Sequence, residues 1–106
     1  MDIVKLVSLG KLDESVTIGS VRFKLTTPSY ASFKRAMVEE KPDAIAMLSD
    51  AIIEVDGQAI TTPKDKADLV VALEQMQGGV ITQLVVIAAD LMSRQNAAIQ
   101  SILKKE

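Results

Sequence analysis

Any chemistry in this chain has to rest on carboxylates, hydroxyls and lysines. Its 106 residues contain no His, no Cys and no Trp. That excludes an imidazole base, a thiolate nucleophile and a thiolate metal site. A serine or threonine nucleophile would then need a buried lysine as its base, and every Lys lies in a polar stretch or at an element end. Acidic pairs occur at Asp13-Glu14, at Glu39-Glu40 and at Asp65 with Asp68. The last two share a helix face at i, i+3, a spacing able to hold a hard cation. Asp65 also falls in the first turn after Thr62, where a negative charge complements the helix dipole, and that role is the expected one. Asp50, Asp56 and Gly57 lack the ligand spacing of a calcium loop. Gly78-Gly79 has no following Lys-Ser/Thr and no preceding strand, so it reads as a helix stop and restart rather than a phosphate loop. Asp90 interrupts an apolar run and is expected to face water or to pair with Arg94 at i, i+4. The residues therefore predict no catalytic group, no cofactor and no metal, and hence no enzyme.

The bulk composition narrows the classes further. Formal charge is −2, and the twelve basic residues are scattered rather than gathered into the stripe a nucleic-acid binder needs. The nearest approach, Lys34-Arg35 with Lys41, is offset by Glu39, Glu40 and Asp43, so no nucleic-acid partner is expected. The longest apolar run, Leu84 to Ala89, falls far short of the roughly 20 residues that cross a bilayer. Met1-Asp2-Ile3-Val4-Lys5 carries acid where a signal peptide carries base. A soluble cytoplasmic protein with no membrane partner is the expectation. Phe23, Tyr30 and Phe33 are the only aromatic residues, so the core must be aliphatic. The length suits a single domain spanning 1–106.

The elements that would position these groups are legible to different degrees. Ile3 to Leu9 fits a short helix or a strand, ended by Gly10. Val16-Thr17-Ile18 and Val21-Arg22-Phe23-Lys24-Leu25 flank Gly19-Ser20, a two-residue loop suited to a primed turn. The hairpin then pairs Ile18 with Val21 and Val16 with Phe23. That places Val16, Ile18, Val21, Phe23 and Leu25 on one face, and a one-residue slip would bury Arg22 and Lys24. Thr27-Pro28 predicts a capped helix to about Glu40, with Tyr30, Phe33 and Met37 facing the hairpin. Lys41-Pro42-Asp43 breaks it, and a second helix carries Ile45, Leu48 and Ile52. Asp56-Gly57 predicts a type I′ turn pairing Ile53 with Ile60. Thr61-Thr62-Pro63 repeats the earlier start signal 35 residues on and opens a helix to about Gln77.

After Gly78-Gly79 a last helix runs from Val80 to about Lys104 without Pro or Gly. Leu84, Ile87, Ala88 and Leu91 stand at core spacing in its first half. The apolar stripe continues through Ala98, Ile99, Ile102 and Leu103, beyond what a small domain requires, and such stripes mark interfaces. The rival reading is that the whole helix folds back along the bundle. The candidate partner-binding residues are Gln95, Ala98, Ile99, Ile102 and Leu103. The expected fold is α+β: a short N-terminal β-hairpin packed on a bundle of about four helices, with a long C-terminal helix.

Gly10-Lys11-Leu12 leading into the hairpin, then Thr27-Pro28, Ala51-Ile52-Ile53-Glu54-Val55-Asp56-Gly57, and a closing helix through Met92-Ser93-Arg94-Gln95-Asn96 together resemble the tail assembly chaperones of long-tailed bacteriophages. Baseplate and hub assembly proteins look similar at this level. The resemblance implies a non-enzymatic protein of the infected host's cytoplasm. It would bind a helical, aggregation-prone partner, the tape measure protein, during tail assembly, with self-association left open. The alternative is a structural subunit (baseplate, hub or tail component) that stays in the virion and docks through its C-terminal helix.

Overall fold

In the computed structural model, residues 2–37 and 43–103 are described, with the side chains of Met37, Ile102 and Leu103 left out. The chain runs α1 (Ile3–Val7), β1 (Asp13–Ile18), β2 (Val21–Thr26), α2 (Tyr30–Met37), α3 (Ala44–Ala51), β3 (Ile52–Val55), β4 (Gln58–Ala59), α4 (Pro63–Gln75) and α5 (Gly78–Leu103). This is an α+β fold with an N-terminal antiparallel hairpin and a long C-terminal helix.

The hairpin has the register its side-chain alternation dictates, Ile18 opposite Val21 and Val16 opposite Phe23. Phe23 and Leu25 are buried, whereas Thr17 and Arg22 face solvent. Gly19 supplies the positive φ, +63°, that the turn requires. The second turn places both of its central residues at positive φ, Asp56 at 49° and Gly57 at 84°. Its pairing extends to Ile60, whose N–H donates to Ile53 O at 2.9 Å. The two hairpins do not stand apart. β2 pairs antiparallel with β3 through Phe23–Val55 and Lys24–Glu54, giving one four-stranded sheet in the order β1-β2-β3-β4. Asp56 secures the join, because its carboxylate accepts from Arg22 N at 2.8 Å while its own N–H donates to Arg22 O.

The two Thr-Pro sites behave differently. Thr62 caps α4 as expected: its hydroxyl accepts from Asp65 N at 3.0 Å, and the Asp65 carboxylate accepts from Thr62 N at 3.2 Å. This reciprocal pair is a capping box with Pro63 in the first turn. Thr27 caps nothing. It is buried, and its hydroxyl accepts from Leu12 N at 3.3 Å, tying the strand entry to the strand exit. The cap of α2 passes to Ser29, whose hydroxyl accepts from Ser32 N at 3.3 Å. The Ser29 N–H is itself held by Asp50 on α3 at 3.0 Å.

The packing of α2 also departs from expectation. The helix buries Ala36 and leaves Tyr30 70% exposed. α2 packs on α3 rather than on the hairpin. The expected Met37 contact, the Glu39-Glu40 pair and the Lys41-Pro42 break fall on residues or side chains outside those described. The hairpin instead shares its core with α3, α4 and α5. Phe23, Leu25, Met47, Leu48, Ala51, Ile52, Leu69, Leu73, Leu84, Ala88 and Leu91 form one cluster with Ala36, aliphatic but for Phe23.

Candidate partner-binding surface

α5 restarts directly after α4, because Gln77 O accepts from both Val80 N and Ile81 N. At 1.5 Å per residue its 26 residues reach roughly 39 Å. The molecule measures 46 × 28 × 26 Å, so this helix sets the long axis. Leu84, Ala88 and Leu91, spaced four and three apart, are wholly buried. The same alternation continues through Gln95 and Ala98 to position 102, but Ala98 is exposed and Ile99 is 37% exposed. This helix face is wholly buried from Leu84 to Leu91, half-buried at Gln95 and exposed at Ala98.

Gln95 marks the changeover. Its side-chain amide donates to Gly10 O at 3.0 Å and to Thr27 Oγ1 at 3.4 Å, stapling α5 to the segment ahead of β1. Both donors are thus used inside the chain. Gly10 holds a φ of +76° and approaches this helix closely, since a Cβ there would lie 3.2 Å from Ile99 Cδ1. Arg94 adds a second tie. It bridges Asp90 at 3.0 Å, the expected i, i+4 pair, and also Glu14 on β1 at 2.7 Å. The Glu14 and Gly10 partners are 80 and 85 residues away in sequence, which is why the helical pattern alone gave no hint of them. Of the expected binding residues, Gln95, Ala98 and Ile99 therefore sit at or beyond the end of the core. Ile102 and Leu103 lie in the same helix, with side chains outside the described set.

Beside this end of α5 lie two further apolar features that sequence periodicity missed. The first is α1. Asp2 caps it by accepting from Lys5 N at 3.0 Å, yet none of its residues is buried. Ile3, Val4, Leu6, Val7 and Leu9 are all 55–77% exposed. The second is a groove of about 570 Å³ between the start of α2 and α5, lined by Pro28, Tyr30, Phe33, Met92, Ser93, Gln95 and Asn96.

Several of the carboxylates considered for chemistry are used structurally. Asp65 lies below the usual aspartate range, chiefly because the Thr62 N–H donates to it, then through the Thr62 hydroxyl and the Thr61 N–H. Asp50 anchors Ser29, and Asp56 joins two strands. Among the described residues no group of three or more acidic, His or Cys side chains is placed to share a metal ion. No helix among them is long and apolar enough to cross a membrane.

No family model matches the chain, and no solved structure matches it. A 7-methyl-GTP pyrophosphatase from Albidiferax ferrireducens is 33% identical over 72 residues, which cover 68% of this chain. The matched stretch is 36% of that protein, so the chain spans about a third of its relative's length.

Proposed function

We propose that this chain is a non-enzymatic assembly factor of long-tailed bacteriophages. In this reading it acts in the cytoplasm of the infected host, where the outer half of α5 receives a helical segment of the tape measure protein during tail assembly. The observation that carries the reading is the continuation of one four-three spacing from buried Leu84, Ala88 and Leu91 through Gln95 onto exposed Ala98, with Ile99 exposed beside it. A helix presenting such a seam to water is matched by another helix packed along it, the helix-in-groove mode of recognition. The phage setting comes from the resemblance of the hairpin, the Val55-Asp56-Gly57 turn and the closing helix to tail assembly chaperones.

The test is co-expression with the tape measure protein of the same phage, together with analysis of purified virions. An assembly factor co-purifies with that protein and is missing from finished particles. Stoichiometric presence in virions overturns this reading and favours a structural subunit docking through α5.

A second reading, nucleotide pyrophosphate hydrolysis, is favoured by the similarity to the 7-methyl-GTP pyrophosphatase. Incubating the purified chain with 7-methyl-GTP and measuring pyrophosphate release decides it. The assembly reading predicts no release above the protein-free control.

A further inference from the structure

Helix α1 is too short to be stable by itself and takes no part in the core. Isolated helices below about 12–15 residues are marginal in water, and this one has five residues, none of them buried. Its large side chains stand in solvent on every side, Val4 at 77% and Val7 at 74% exposed, with Ile3 at 57% and Leu6 at 55% on adjoining positions. A flat partner would cover one side only, so the helix calls for a concave receiver. The chain carries such a receiver next to α1. Pro28 and Gln95 line both the α2–α5 groove and the small cavity into which Val7 and Leu9 project. The helix does not lie in its own groove, and Gly10 at its base is held by the Gln95 amide at 3.0 Å. We propose that α1 of one copy seats in the α2–α5 groove of a second copy of this chain, and reciprocally, in a two-fold dimer.

Symmetry makes the fit economical, since a single rotation satisfies both helices and both grooves with one self-complementary patch. The area is appropriate as well. The five apolar residues from Ile3 to Leu9 leave roughly 500–600 Å² exposed, the upper end of what a monomer shows as one patch. With the groove rim added, that approaches the ~800 Å² each partner buries in a stable complex. The inference is independent of the tape measure reading and needs only the purified chain.

Because the chain has no Cys, a cross-link can be placed without background. One preparation carries Leu6→Cys and another Tyr30→Cys; both residues are exposed, so neither substitution disturbs the core. The dimer predicts a disulfide-linked one-to-one pair on mixing under mild oxidation. Sedimentation equilibrium of the unmodified chain, followed from micromolar to submillimolar, should give twice the chain mass. The double variant Val4→Lys, Val7→Lys should halve that mass and leave the circular dichroism spectrum unchanged. A chain that stays monomeric throughout overturns the proposal and assigns α1 to a different protein. A dimer that forms no 6–30 link and survives the lysine variant overturns it equally, by placing the interface elsewhere.

Discussion

The two halves of α5 carry the same apolar spacing and meet opposite fates. From Leu84 to Leu91 the seam faces α3, β1 and β2 and is fully buried, whereas at Ala98 the same face meets water. The difference lies not in the helix but in what the rest of the chain supplies opposite it. The sheet and α3 cover the inner half, whereas among the described residues the outer half meets only the segment around Gly10, through the Gln95 staple and the approach of Gly10 to Ile99. A hydrophobic stripe is thus a demand for a partner, and whether that partner is internal depends on elements far away in sequence. Here the demand outruns the domain by about two helical turns.

Truncating the inner half should break the comparison most severely. Leu91→Ala removes a fully buried side chain beside Leu84 and Ala88. It is expected to cost about 2–5 kcal/mol, a large fraction of a small domain's stability. Thermal or urea unfolding measures it, and a loss below about 1 kcal/mol would mean that the core is not where the cluster places it.

The boundary between the halves should respond less. Gln95→Ala deletes both bonds of the staple, and each such bond is worth about 1 kcal/mol net. The expected loss is about 1–2 kcal/mol, and amide exchange at Gly10 and Lys11 should accelerate more than in the sheet. A uniform acceleration would show that Gln95 supports the whole fold rather than the junction.

Acid separates the regions too. The Asp65 carboxylate is held below its ordinary range by the α4 cap, chiefly the Thr62 N–H. A folded-state value depressed below the unfolded one stabilises the protein above the unfolded value. That stabilisation is lost as pH falls through the folded value, here below the usual aspartate range. Melting temperatures measured down this limb should fall less steeply in Thr62→Ala than in the parent chain, and Ile99→Ser should leave the limb as it is. A steeper limb in Ile99→Ser would link the outer half to the core.

How much of this was legible depended on how local the cause was. The hairpin register followed from period-two alternation alone, since any slip buries Arg22 and Lys24. The Asp56-Gly57 turn and the Thr62-Asp65 cap followed from backbone demands met within four residues. Thr27-Pro28 shows the limit of that reasoning. It has the same residues as Thr62-Pro63, but its hydroxyl is claimed by Leu12 and Gln95, so Ser29 takes over the cap. The joining of both hairpins into one sheet, and the Arg94–Glu14 bridge, depend on contacts more than 25 residues apart in sequence. Periodicity, which sees one element at a time, could not supply them. For the candidate surface, the outer stripe of α5 was readable, but the exposed α1 beside it was not. Nothing in Ile3 to Leu9 distinguishes a packed helix from a bare one.

The central claim is that the outer half of α5 binds and does not hold the fold together. The direct measurement is the double variant Ala98→Glu, Ile99→Ser, assayed in parallel for melting temperature and for co-purification with the tape measure protein. The account predicts that co-purification is lost while melting shifts by no more than about 1 kcal/mol in stability, as for other surface changes. A variant that unfolds, or one that melts normally and still binds its partner at full strength, would contradict it.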